Sequence, residues 1–301
     1  MSEKNELLLQ DRIEKIRSVI GKYGEENFYI SFSGGKDSTV LHYLMDMALP
    51  DNKIPRVYVD TGIELLSLQH YVYLMAAKDD RIHIVKTHKN IKQVLNDNGY
   101  PFKSKIHSKM VSIYQKYKTL EGRTGLQHYL NVATDGKEWS KQNRCPKSLE
   151  YQFTERNTLK ISDKCCLELK EKPLTDWGKE HGKKYYINGI RTAEGGRREK
   201  SSCMYIRRGD LVGFQPLAIV SNDWEDWFLG TFNIKLCELY YLPYNFKRTG
   251  CKGCPFNRNL QGELDTLAKY FPAERKQCEY IWKPVYEEYR RIGYRLRKVD
   301  T

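Results

Sequence analysis

Residues 30–44 read ISFSGGKDSTVLHYL, and the way the chain passes through the middle of that stretch decides the fold. On its left, NFYISF (27–32) has the aromatic and β-branched composition of a short strand. On its right, STVLHYLMDMAL (38–49) carries helical spacing and stops before Pro50. Between them lie Ser33, Gly34, Gly35, Lys36, Asp37 and Ser38. Two glycines let the backbone turn sharply and bring its amides close to a ligand, and the following helix points its positive end at the same place. The stretch therefore predicts a phosphate cradle between a strand and a helix. It does not match the G-x-x-x-x-G-K-[ST] loop, so the cradle is of another kind.

The flanks extend the pattern. RVYVDTG (56–62), RIHIVKTH (81–88) and KKYYINGIR (183–191) read as further strands, and GFQPL (213–217) as a short fifth. Residues 5–23 form an amphipathic helix with Leu7, Leu8, Ile13, Ile16 and Ile20 near one face. Strands alternating with helices predict an α/β fold with a doubly wound, mostly parallel sheet, whose ligands bind beyond the carboxyl ends of the strands. Residues 1–217 are expected to form the nucleotide-binding domain, interrupted by a helical insertion at about 101–160. Residues 218–301 are expected to form a C-terminal helical region.

The 301 residues are 40% hydrophobic and 30% charged, an ordinary globular composition. No apolar run approaches the roughly 18 residues a membrane span needs. The N-terminus lacks the apolar core of a signal peptide, which predicts a cytoplasmic protein with no membrane partner. In that reducing compartment eight cysteines suggest metal binding or catalysis rather than disulfides. The formal charge of +13 favours polyanionic partners, nucleic acid or nucleotides, although a basic surface can also serve solubility alone. Residues 101–160 hold 12 Lys or Arg against 5 Asp or Glu, interleaved with Tyr114, Tyr117, Tyr129, Trp139 and Tyr151. Such a face suits phosphates and stacked bases, and a solvated helical excursion would read the same way.

Ser33-Gly34-Gly35-Lys36-Asp37-Ser38 resembles the S-G-G-x-D-S signature of the PP-loop ATP pyrophosphatases, a HUP-like superfamily. The resemblance implies that ATP binds by its phosphates, with Mg²⁺, and is attacked at the α-phosphate with release of pyrophosphate. Four more stretches are similar to the phosphoadenosine phosphosulfate (PAPS) reductase branch: VDTGIE (59–64), GIRTAEGGRR (189–198), QPLAIVSNDWEDW (215–227) and LPYNFKRTGCKGCPF (242–256). By this resemblance Asp60, Thr61, Gly62, Gly189, Arg191 and Arg197 join the loop in facing the nucleotide. Lys36 would hold the phosphates, Asp37 would help position Mg²⁺, and the arginines would neutralise developing charge.

Cys165-Cys166, followed by LELKEKPL, and Cys251-x-x-Cys254 resemble the cysteine pairs that hold a [4Fe–4S] cluster in the iron–sulfur members of the branch. Four thiolates suit either iron–sulfur or structural zinc; adjacent cysteines chelate a single small ion poorly. Cys145, Cys203 and Cys237 have no partner spacing and read as buried apolar side chains.

Two departures separate the chain from the sulfonucleotide reductases. Those enzymes carry an altered loop, and here it is complete. They also use a cysteine in E-C-G-x-H, whereas Cys278 sits in RKQCEYIW, with neither the glycine nor the histidine. Cys278 is thus either a nucleophile or a helix-face cysteine packing near Tyr280 and Trp282. The intact loop resembles the sulfur-transfer members, DndC-type phosphorothioation proteins and tRNA thiolases. That implies adenylation of a nucleic-acid target and sulfur from a donor such as a cysteine desulfurase. A PAPS or adenylyl sulfate reductase and a non-catalytic nucleotide sensor or partner subunit stay open. A homo-oligomer is compatible with all three.

Overall fold

The computed structural model describes residues 2–136, 139 and 143–298, without the side chains at 2, 196 and 197. The chain divides into two compact units, one of residues 1–87 with 170–250, the other of residues 88–169 with 251–301. These differ from the expected 1–217 and 218–301, and the packing of the first unit gives the reason.

The first unit opens with helix α1 (Ser2–Tyr23), which ends at Gly24 with φ at 81°. Strand β1 (Phe28–Ser31), helix α2 (Lys36–Ala48), strand β2 (Arg56–Asp60), helix α3 (Leu66–Ala76) and strand β3 (Ile82–Lys86) follow. The sheet runs β3-β2-β1 on one side of β1. On its other side come β4 (Tyr185–Ile187), β6 (Asp210–Phe214) and β5 (Met204–Arg207). All neighbours are parallel except β5 and β6, and the register sets Ile30 against Arg56 and Tyr29 against Tyr186. The strand order reverses between β1 and β4, the point at which a doubly wound sheet opens its ligand crevice.

Alternation along β1 sends Phe28 and Ile30 to one face and Tyr29 to the other. On the first face they join Ile13, Ile16 and Ile20 of α1 and Leu41 and Leu44 of α2. Tyr29 and Val57 instead pack on Trp177 of α7 (Lys172–Glu180). Helices therefore cover both faces, as the fold class requires. Trp224 and Phe228 of α8 (Asn222–Thr231) belong to the first-face core. That burial is why the helix after residue 217 stays with the sheet rather than starting a new region.

The fifth strand was expected at 213–217; it ends at Phe214 and pairs in a hairpin with β5. Arg208 and Gly209, at φ 55° and 91°, form the tight turn between them. Their charge and the short apolar runs beside them hide the hairpin in the sequence.

The second unit contains helices α4 (Ile91–Asn98), α5 (Lys105–Tyr117), α6 (Thr124–Tyr129), α9 (Leu260–Tyr270), α10 (Pro272–Ile281) and α11 (Lys283–Ile292). Phe102, Tyr129, Tyr286 and Tyr289 are buried in it. Of the five insertion aromatics, Tyr129 is thus core; it packs with Phe153 and bonds His107 Nδ1 at 2.8 Å. Only Tyr117 of the five is exposed. Among the described residues no helix is long and apolar enough to cross a membrane.

Candidate functional site

The loop after β1 is built for close approach. Gly34 has φ at 70°, and a Cβ there would lie 2.4 Å from Val72 Cγ2, so only glycine fits. Ser38 Oγ donates to the Gly35 carbonyl at 2.9 Å and lies 3.0 Å from Ser33 Oγ, which closes the turn on itself. Gly35 is the residue before α2, and a Cβ on it would meet Ser33 Oγ and Thr249 Oγ1 at 3.3 Å. The Lys36 amide donates to Tyr240 Oη at 2.9 Å, and that hydroxyl lies 2.8 Å from Thr249 Oγ1. Gly189, just past β4, sits where a Cβ would fall 2.9 Å from the Asp37 carbonyl. Gly189 is therefore required by packing against the start of α2.

Charge is concentrated at the same helix start. Arg191 is 3% exposed. Its Nε donates to Asp37 Oδ1 at 2.6 Å, its Nη1 to Asn222 Oδ1 at 3.0 Å, and its Nη2 lies 2.9 Å from Glu225 Oε2. Lys36 Nζ is 3.2 Å from both Glu225 Oε2 and Asp226 Oδ1. Burial lowers the Lys36 pKa, but Glu225 and Asp226 outweigh it and raise the value overall. Glu225 is fully buried; burial and then the neighbouring Asp37 push its carboxyl up to about 8, against the pull of Arg191 and Lys36. Nothing in the sequence marks Glu225 or Tyr240 as a site residue. Glu225 lies inside the quoted 215–227 stretch, and its position between Trp224 and Asp226 gives no sign that it turns inward.

Past β2, Asp60 accepts from the Gly62 amide at 3.1 Å, from Tyr73 Oη at 3.0 Å and from Lys86 Nζ. Burial opposes its charge, but these donors hold the carboxyl below its usual range. Thr61 Oγ1 donates to Glu64 Oε2 at 2.6 Å, and Glu64 pairs with Lys170 at 3.2 Å. A cavity of about 90 Å³ lies there, lined by Ser33, Tyr58, Glu64, Lys170, Thr249 and Gly250 among others. The loop, Arg191 and Gly189 thus come together at the strand-order reversal, and Asp60 to Gly62 border β2. Arg197 falls in the turn Gly196–Lys200, and its side chain is outside the described residues.

The four paired cysteines all lie in the second unit. Cys165 and Cys166 begin a helix that continues as a π-turn over Leu167–Glu171, a backbone form often found at functional positions. Gly253, between Cys251 and Cys254, has φ at 60°, and a Cβ on it would meet Tyr286 Oη at 2.3 Å and Cys278 Sγ at 2.8 Å. The turn is pinned by Trp282 Nε1 donating to the Lys252 carbonyl at 3.0 Å, and by Tyr289 Oη donating to the Pro255 carbonyl at 2.9 Å. The Gly253 amide donates to Glu263 Oε1 at 2.7 Å, and Lys252 is consumed by Glu274 at 3.1 Å. Burial and then Cys251, Cys166 and Cys165 raise the Cys254 thiol well above its ordinary value. Those three sulfurs are thus near enough to act on it.

Cys278 is fully buried against that turn, and burial pushes its thiol up to about 12. A nucleophile's thiolate is not favoured there. None of the eight cysteines forms a disulfide. His42, Asp46 and Asp79 also bring ligand-type atoms together. Arg56 and Arg81 neutralise both carboxylates, at 2.5 Å and 2.8 Å, which makes the set an ion-pair network.

The chain is 25% identical over 264 residues to the uncharacterized protein MJ0973 of Methanocaldococcus jannaschii, which covers 84% of this chain and 49% of that one. The chain therefore spans about half the length of the curated relative it matches. Among solved structures, the PAPS reductase of Candida auris in its phosphate complex is 14% identical, with a TM-score of 0.46 over 83% of this chain and 95% of that one. The U34-tRNA thiolase NcsA of Methanococcus maripaludis, with its [4Fe–4S] cluster, is 15% identical, with a TM-score of 0.40 over 93% of this chain and 80% of that one. The family model of the phosphoadenosine phosphosulfate reductase domain matches residues 27–129 and 105–257. Those matches run from the first strand through both cysteine pairs, and the chain belongs to the phosphoadenosine phosphosulfate reductase domain family.

Proposed function

We propose that the chain is an ATP-dependent sulfur-transfer enzyme acting on nucleic acid. The observation that carries the reading is the pairing of an intact, closed-up Ser33–Ser38 loop with four cysteines gathered from two distant parts of the sequence around Cys254. An oxygen of the target would attack the α-phosphorus of ATP, with pyrophosphate leaving on the broken P–O bond. A donor's sulfur would then displace AMP from the adenylated target. The loop amides and Lys36 would hold the phosphates. Asp37 would help position Mg²⁺, and Arg191 would offset charge on the phosphates.

The cysteine set suits a [4Fe–4S] cluster on Cys165, Cys166, Cys251 and Cys254. Cys165 and Cys166 are adjacent, and adjacent cysteines chelate a single small ion poorly. A larger cluster accommodates adjacent ligands, and when bound it would supply iron–sulfur chemistry for handling sulfur.

The test is to incubate anaerobically purified protein with labelled ATP, a sulfur donor and nucleic acid, and in parallel with adenylyl sulfate or PAPS. Pyrophosphate release and label-dependent sulfur incorporation support the proposal. Sulfite production from the sulfonucleotide would replace it with a reductase.

A further inference from the structure

Two cationic residues of the second unit, Lys103 and Arg295, meet at Tyr289 and the Pro255 carbonyl, and a third, Arg258, follows on the same turn. Lys103 follows Phe102 with a left-handed backbone, φ 56°, and its amide donates to Tyr289 Oη at 2.7 Å. Arg295, also left-handed at φ 59°, donates to the Pro255 carbonyl, which accepts from Tyr289 Oη as well. Arg258 lies three residues beyond Pro255 on the same turn. Burial lowers the Lys103 pKa first, Cys145 opposes it, and Arg295 and Arg258 lower it further. Among the described residues none of the three forms an ion pair with a carboxylate, while Lys252 in the same turn has Glu274.

Half-burying an ammonium beside two guanidinium groups is unfavourable unless an anion completes the set. Left-handed backbone at two non-glycine positions adds strain of the kind found where a site is held in place. Both positions are tied through Tyr289 and the Pro255 carbonyl to the turn that carries Cys254. We propose that Lys103, Arg258 and Arg295 form a phosphate-binding site for the backbone of a single-stranded nucleic acid. The proposal rests on the sulfur-transfer reading above and names where its target is gripped. A strand suits the site better than a small free anion because an aromatic ring stands beside one of its cations: Arg295 lies 5.4 Å from the Tyr294 ring. Backbone phosphates and unstacked bases use such neighbours together.

The test is fluorescence anisotropy with fluorescein-labelled single-stranded RNA and DNA oligonucleotides over a range of salt, on the full chain. Each lost phosphate contact should reduce the slope of log K against log[salt] by about 0.7 on single strands. The Lys103→Gln/Arg258→Gln double variant should therefore lose about 1.4 of slope and bind several-fold more weakly at low salt. Arg207→Gln/Arg208→Gln, which removes the same charge from the β5–β6 turn, should keep the wild-type slope. Unchanged ATP affinity and melting temperature in both variants establish that they are folded. Wild-type slope and affinity in the Lys103/Arg258 variant would overturn this site while leaving nucleic-acid binding intact. Displacement of the strand by stoichiometric inorganic phosphate at constant ionic strength would make it a site for free phosphate and overturn the strand assignment. Absence of wild-type binding to any oligonucleotide at about 10 μM and low salt would remove both this site and the nucleic-acid reading.

Discussion

Arg191 Nε donates to Asp37 Oδ1 at 2.6 Å, joining residues 154 apart in sequence. The other end of the same guanidinium lies 2.9 Å from the buried Glu225. One cation from the loop after β4 therefore pairs with a carboxylate at the start of α2 and with another on α8. The two halves of the sheet are tied together at the point where the strand order reverses, beside the Ser33–Ser38 loop.

Removing Arg191 should be costly. Arg191→Met leaves Glu225 buried with Lys36 as its remaining cationic neighbour, and above pH 8, where that carboxyl is charged, breaking a buried pair from one side typically costs about 3–5 kcal/mol. Urea denaturation should show that loss. Arg191→Met/Glu225→Leu, which removes both partners, should recover most of the stability while ATP binding stays weak. Equal destabilisation in the single and double variants would mean the pair is not coupled.

Glu225 also sets a pH dependence. Its folded pKa, about 8, stands above the ordinary carboxyl value of 4.5, so the folded state holds a proton that the unfolded state releases. Stability from this group is present below pH 4.5 and is lost as the pH rises towards 8. His42 and His107 have folded values of about 4, below their ordinary 6.5, mainly through burial, so they act in the opposite direction below pH 6.5. The clean window is pH 6.5 to 8, where the melting temperature should fall. Glu225→Gln, neutral throughout, should flatten that fall; an unchanged slope would place the Glu225 carboxyl back in the usual range.

The strand, loop and helix from residue 27 to residue 49 were legible because local chemistry decides them: β-branched and aromatic residues, two glycines, then helical spacing. Both cysteine pairs were legible for the same reason. What escaped depends on tertiary packing. Tyr129 read as a surface ring and is core, because an aromatic among lysines looks the same in either place. Tyr240 contacts the loop from 204 residues away, in a stretch with no periodicity. Helix α8 read as the start of a C-terminal region, yet Trp224 and Phe228 bury it on the sheet.

Glycine substitutions should separate folding from binding. Gly34→Ala combines a left-handed backbone, about 1–2 kcal/mol, with a 2.4 Å clash on Val72. Its main effect should be a lower melting temperature. Gly35→Val meets side-chain oxygens at 3.3 Å that can yield, so the fold should survive. The added methyls would stand between the amides and the phosphates. ATP affinity measured by calorimetry should drop more than tenfold, about 1.4 kcal/mol. Normal ATP binding by Gly35→Val would rule the loop out as the phosphate site.

The cysteines give the sharpest contrast, because Cys278 lies against the same turn as the proposed ligands. Anaerobically purified protein should be brown, with broad visible absorption from thiolate-to-iron charge transfer and about four iron atoms per chain. Cys251→Ser and Cys254→Ser should each bleach it and lower the iron content. Cys203→Ser, beside Arg12 in the other unit, should leave both unchanged. Cys278→Ala is the decisive variant. Its thiol is held protonated by burial, so it should neither bind iron nor attack a substrate, and its loss leaves only a small cavity beside Gly253. A modest fall in melting temperature with full iron content and unchanged turnover is expected. Loss of turnover with the iron and the fold intact would instead make Cys278 a nucleophile and move the protein towards the reductases, while a colourless wild type holding one zinc would overturn the cluster itself.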